Sequence, residues 1–188
     1  YSDVTLNWHE NIILCFSLSK VGLPGVRTGI IVAAPKVVKA VSSLNAIVNL
    51  APTRFGAAIA APLLESGEMK RLADQVIRPF YRNQARTAVA LLKRELGAYP
   101  MKIHKPEGAI FLWLWFENLP VPSQTLYEML KAEGTLIIPG EHFFVGIDTQ
   151  DYPHAGECIR MSIAQDAQTL KKGIAAIGKT VRKLYDNV

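Results

Sequence analysis

The chain alternates short, unbroken apolar runs with longer stretches whose apolar residues recur every three to four positions. "NIILCF" (Asn11–Phe16) and "TGIIVAA" (Thr28–Ala34) are Ile-rich and free of charge, which predicts strands buried on both faces. The segment between them, "SLSKVGLPGVRTG", is rich in Gly and Pro and reads as a loop. "PKVVKAVSSLNAIVNL" opens with Pro35 at a first helical position and keeps a helical period. "PTRFGAAIAAPLLESG" is Ala-rich on most faces, which predicts a buried helix capped by Gly67. From Glu68 to Leu96 the helical spacing continues through Met69, Leu72, Phe80, Ala88 and Leu92, predicting one long helix. Pro79 lies inside it, and an interior proline removes a hydrogen bond and kinks the helix near the preceding turn.

Beyond Gly97 and Pro100 the period changes to two. "MKIHKPEGAIFLWLWF" reads as strand, turn, strand, with Phe111, Trp113 and Trp115 on one face and Leu112, Leu114 and Phe116 on the other. Three aromatics in that strand could serve as a stacking platform, but the alternation fits a strand buried on two sides better. "VPSQTLYEMLKAEG" is a helix with Ser123 as N-cap and Gly134 as C-cap. "TLIIPG" and "ECIRMSIA" are short strands, the second alternating Cys158, Arg160 and Ser162 against Ile159, Met161 and Ile163. "DAQTLKKGIAAIGKTVRKLYDNV" closes the chain as an amphipathic helix capped by Asp166. The pattern predicts an α/β protein in two parts. Residues 1–67 form a portion of a larger parallel-sheet domain, and residues 68–188 a smaller α+β domain entered by the long kinked helix. Two strong strands are fewer than a parallel sheet covered on both faces requires, so further strands are expected from outside this chain.

Length and composition narrow the class. The 188 residues, 49% hydrophobic and 20% charged, have an ordinary globular balance and suffice for one domain or one domain with part of another. No apolar run is long enough to span a bilayer and no secretory leader pattern is visible, so no membrane partner is expected. The net charge of +5 (21 − 16) comes from scattered pairs such as Lys70–Arg71 and Lys171–Lys172 rather than a stripe, so no nucleic-acid partner is expected. Cys15 and Cys158 lie far apart in apolar stretches, as buried reduced thiols of a cytoplasmic protein would. Neither the cysteines nor the four histidines have metal-ligand spacing, so no metal site is expected.

The candidate chemistry sits in the loop. A lysine leaving a buried strand is partly desolvated, which lowers its pKa and frees a nucleophilic amine of the kind Schiff-base chemistry needs. Ser17, three residues before Lys20, and Arg27, seven after it, supply a hydroxyl and a guanidinium fork suited to a phosphate. The plain alternative for any S-x-S-K is a solvated loop lysine beside a surface arginine. Arg160, on a strand with buried alternate neighbours, could hold an α-carboxylate with a bidentate fork. On spacing alone it reads equally as an edge-strand arginine in a surface ion pair.

"SLSKVGLPGVRTG" resembles the lysine signature of the fold-type I pyridoxal-phosphate aminotransferases, and "HKPEGAIFLWLWF", "IIPGEHFF" and "IRMS" extend the likeness over nearly the whole chain. The resemblance implies the C-terminal half of such an enzyme, with pyridoxal 5'-phosphate as cofactor. Lys20 would carry the Schiff base, Ser17 and Arg27 would bind the cofactor phosphate, and Arg160 would bind the substrate carboxylate. It implies a homodimer acting on a small aliphatic amino acid such as alanine or valine and a 2-oxo acid. In the family the Lys-to-Arg spacing is usually one residue longer. There the remaining pocket residues precede the lysine, mostly by long distances, and Tyr1 and Asp3 stand too close to Lys20 to replace them. The chain alone is therefore expected to be inactive. A β-lyase of the same fold, or a non-catalytic sensor domain, would carry the same lysine motif. The resemblance assigns no role to Glu107, His142 or His154.

Overall fold

The structure, a computed structural model, describes residues 7–50, 54–148 and 151–187. Tyr1, Asp3 and the Pro52 start expected for the second helix lie outside these residues. The chain divides into two compact units, one running up to Pro79 and the other from Phe80 onward.

In the first unit, β1 (Leu14–Ser17) and β2 (Gly29–Val32) pair through the register Leu14↔Val32 to Ser17↔Gly29. The pair is antiparallel, a direction that the expectation of a portion of a larger parallel-sheet domain left open. The reason is connection length. Only Leu18–Thr28 join the strands, and a parallel partner needs a crossover of about a dozen residues or more. Nor are the strands buried on both faces, since Phe16, Ile31 and Val32 are exposed. Cys15 is likewise exposed rather than buried. Helix α1 (Pro35–Asn49) begins with Pro35 and carries no buried residue, so its apolar positions Val38, Val41, Leu44 and Val48 face outward. Helix α2 (Phe55–Glu65) buries Gly56 and Ala60 only, less than its Ala-rich pattern predicts. It ends with Gly67 in the left-handed region (φ 73°), as its C-terminal position predicts. The core of this unit is Leu18, Ala60 and Met69, with Val21, Leu23, Val26, Ile30 and Leu63 packed against it.

Helix α3 (Glu68–Leu72) passes through a π-helical turn, Ala73–Ile77, into α4 (Arg78–Leu96). The wide turn explains how Pro79 is accommodated. The Arg78 N–H reaches back to the Ala73 carbonyl, five residues away, which opens the ladder just before a residue that has no N–H to give.

The second unit is built on four strands in the order β3 (Met101–Ile103), β4 (Phe111–Phe116), β6 (Cys158–Ser162), β5 (Ile138–Pro139), all antiparallel. Leu112, Leu114 and Phe116 on one face of β4 are buried, each worth roughly 1.5–3 kcal/mol of transfer free energy. The Phe111, Trp113 and Trp115 face is only half-buried, so the strand is less enclosed than its composition predicts. Helix α5 (Ser123–Ala132) and helix α7 (Ala167–Asp186) pack Leu126, Leu130, Ile174, Ile177 and Val181 into the same core as Leu92 and Leu96 of α4. Short helix α6 (Pro153–Gly156) precedes β6. Asp166 caps α7 as expected, its Oδ1 accepting from the Gln168 and Thr169 N–H groups at 2.9 and 3.0 Å. Ser123 is not the cap of α5. It is the first helical residue, and extended Pro122 (ψ 149°) takes the N-cap position. Gln84 is a buried polar residue that the sequence pattern hides, and its Nε2 donates to the carbonyls of Ile163 (3.3 Å) and Gln165 (2.7 Å).

Candidate functional site

The loop between β1 and β2 folds as two short 3-10 turns, Leu18–Val21 and Pro24–Val26. Ser17 caps the first, its Oγ accepting from the Ser19 N–H at 3.3 Å, which leaves the hydroxyl proton available to donate. Leu18 is buried, so its side chain anchors the turn while Lys20, two residues on, stands exposed. Lys20 is thus not desolvated in the way the sequence predicts. The apolar cover that desolvation requires is missing over this loop among the described residues.

Arg27 bounds the second turn. Its backbone is left-handed (φ 47°, ψ 42°), and its N–H reaches the Pro24 carbonyl at 3.4 Å. That conformation costs a residue with a Cβ roughly 1–2 kcal/mol. Neighbouring contacts hold it. The Thr28 hydroxyl donates to the Val26 carbonyl at 2.8 Å, and Gly56 of α2 lies so close to Thr28 and Val26 that a Cβ would overlap both. The Ser17↔Gly29 register and the Leu18 N–H to Thr28 carbonyl bond (3.2 Å) put Ser17, Lys20 and Arg27 at one end of the two-stranded ladder. An amine, a hydroxyl and a guanidinium share that end, with Ser17, Lys20 and Arg27 all exposed.

Arg160 belongs to the other unit. It occupies the middle of β6, opposite Trp113 of β4 and Ile138 of β5, so it is not on a sheet edge. Its guanidinium carbon lies 4.2 Å from the Phe111 ring centroid and 4.7 Å from that of Phe143. Nε is buried and has no hydrogen-bond partner among the described residues. An unmet buried donor costs about 1–3 kcal/mol, so Nε calls for a partner beyond the described residues: a water, a ligand or another segment of chain. The side chain borders a cavity of about 270 Å³ lined also by His104, Lys105, Glu107, Phe111 and Trp113. Lys105 pairs with Glu107 at 2.7 Å and holds its carboxyl below the ordinary range. His142 lies in the 3-10 turn Gly140–Phe143. His154 belongs to an aromatic cluster, its ring 4.6 Å from Trp115 and its Nε2 3.6 Å from Cys158 Sγ.

Phe143 is the side chain that sequence reasoning missed. "IIPGEHFF" marks a turn, but nothing in it says that the first Phe reaches an arginine seventeen positions later. Gly140 fixes that turn, because a Cβ there would come within 2.6–2.8 Å of Cys158 and Ala155 atoms.

The sequence matches the family described as aminotransferase class I and II over residues 3–177. It is 40% identical to the valine–pyruvate aminotransferase of Escherichia coli K12 over 98% of this chain and 44% of that protein. A crystal structure of a putative amino-acid aminotransferase from Psychrobacter arcticum superposes with a TM-score of 0.95 at 66% identity, covering 100% of this chain and 43% of that one. The valine–pyruvate aminotransferase of Salmonella typhimurium superposes with a TM-score of 0.92 at 39% identity, over 100% of this chain and 48% of that one. The chain thus spans less than half the length of these relatives. With its lysine loop, its central-strand arginine and these matches over nearly its whole length, the chain belongs to the class I and II aminotransferase family.

Proposed function

We propose that this chain is the C-terminal part of a pyridoxal-phosphate-dependent aminotransferase of the valine–pyruvate type, working as a homodimer on a small aliphatic amino acid and a 2-oxo acid. The observation that carries the reading is the gathering of Ser17, Lys20 and Arg27 at one end of the β1–β2 ladder. Their chemistry fits the cofactor. The Ser17 hydroxyl keeps its proton to donate, and Arg27, fixed in its left-handed backbone, offers a charged fork for phosphate oxygens. Bound there, pyridoxal phosphate supplies an electrophilic carbonyl and an electron-withdrawing ring. Lys20 Nζ is the amine for its covalent attachment and, once released, the base and acid that moves a proton at the substrate Cα. Arg160 grips the substrate carboxylate and so fixes the direction of the Cα–H bond. The small share of its relatives that the chain spans, and the exposure of Lys20, support the view that it does not turn over alone.

The test is reductive trapping. Active enzyme containing this chain is treated with borohydride in the presence of pyridoxal phosphate and digested for mass spectrometry. The label is expected on Lys20, and Lys20→Ala should abolish transamination. A label on another lysine, or activity retained by Lys20→Ala, overturns the reading. 2-Oxo acid release that needs no amino acceptor would mark a lyase instead.

A further inference from the structure

Among the described residues, the guanidinium of Arg160 is met by two aromatic rings rather than by hydrogen-bond acceptors. Phe111 comes from β4 and Phe143 from the 3-10 turn after β5, and the two ring centroids lie 4.2 and 4.7 Å from the guanidinium carbon. Cation–π attraction from two rings restrains the plane of the group, whereas an ion pair would occupy its donors. Nε accordingly has no hydrogen-bond partner among the described residues although it is buried. Phe143 is itself placed by the sheet, with Trp113, directly opposite Arg160, meeting its ring edge-on at 5.3 Å. The turn that carries it is pinned by Gly140 against Cys158 and Ala155. Yet Phe143 remains 43% exposed, more than a core role would require.

We propose that Phe111 and Phe143 are positioning residues that clamp the Arg160 guanidinium between two ring faces, keeping its N–H groups set for a monocarboxylate in the adjoining cavity. This rests on the reading of Arg160 as the carboxylate grip. The clamp acts through Arg160, so it governs affinity for the carboxylate and leaves the fold intact.

The test follows the Arg160 Nε–Hε signal in nitrogen-15-labelled active enzyme containing this chain during titration with 2-oxoisovalerate, with its neutral methyl ester as control. In the parent chain the signal is displaced by the ring currents of both phenylalanines and moves saturably with the acid but not with the ester. Phe143→Leu is expected to return the signal toward its unstacked position and weaken binding about 3–10-fold with the melting midpoint unchanged, and Phe143→Tyr to restore both. Binding equal to the parent in Phe143→Leu, with binding lost in Arg160→Lys as followed by the backbone amide signals of β6, overturns the clamp and leaves the grip standing. Binding unchanged in Arg160→Lys, or no saturable shift in the parent, overturns the grip itself and the clamp with it.

Discussion

Cys158 and Cys15 show how far environment separates two side chains of one type. Cys158 is fully buried, and burial, reinforced by the nearby Glu157 carboxylate, pushes its thiol up to about 11. Cys15 is exposed on β1. At pH 8 only about one Cys158 thiol in a thousand is ionised, so iodoacetamide should modify Cys15 and leave Cys158 intact until denaturant is added. The same shift has a sign in stability. The folded thiol binds its proton more tightly than the unfolded one, so its contribution is complete below about pH 9 and is lost as pH rises toward about 11. Urea midpoints should fall over that range, and Cys158→Ala should flatten the fall. A fall of equal size in the variant would assign it to another group. The sequence placed both thiols in apolar runs and could not distinguish them, because burial depends on what covers a run, and that comes from elsewhere. Arg160 was legible for the opposite reason: alternation along β6 announces its face. Its two aromatic neighbours were not, since they meet it only through strand pairing and a turn.

Helix ends and connection lengths are local, and at this scale the sequence is most informative. The Asp166 cap, the Pro35 start and the Gly67 and Gly134 ends are all where the residues predict. Asp166 is held below the ordinary carboxylate range, first by the Thr169 hydroxyl and then by backbone N–H donors at the start of α7. Asp166→Ala should lower the thermal midpoint by roughly a few degrees at pH 7. The parent's advantage should be present above the usual carboxylate range and disappear as pH falls through the depressed value. Melting curves for both proteins over a series of falling pH from 7 check this, and a gap that does not narrow as pH falls would assign the loss to something other than the charged cap. The gaps and misreadings at this scale have stated causes. Placing β1 and β2 in a larger parallel-sheet domain left their mutual direction open, and Leu18–Thr28, too short for a crossover, makes the pair antiparallel. Ser123 looked like a cap because Pro122 cannot offer a side-chain oxygen, yet its extended backbone still takes that position.

Over the whole molecule, apolar burial is uneven. Among the described residues the unit up to Pro79 buries three core hydrophobics, whereas the unit from Phe80 buries seventeen in one cluster. The first unit also leaves most of α1 uncovered, with Leu44 61%, Ile47 76% and Val48 68% exposed. Local opening is easiest where few apolar contacts must be broken, so protection of backbone amides should divide along the same line. In hydrogen exchange of this chain, amides of β1, β2 and α1 should be replaced orders of magnitude faster than those of β4, β6 and α7. Urea should correspondingly release the first unit before the second, giving two transitions rather than one. Slow exchange throughout α1, matched to that of β4, would mean that its apolar face is covered in solution, and the concentration dependence of that protection would tell a second copy from intramolecular cover. Rapid exchange, by contrast, places the exposed Lys20 loop on the weakly held unit and Arg160 on the firmly held one. Ser17 and Arg27, proposed above for the cofactor phosphate, would then gain most of their order once that unit is covered, while Arg160, proposed for the carboxylate, would be held within its own unit beforehand.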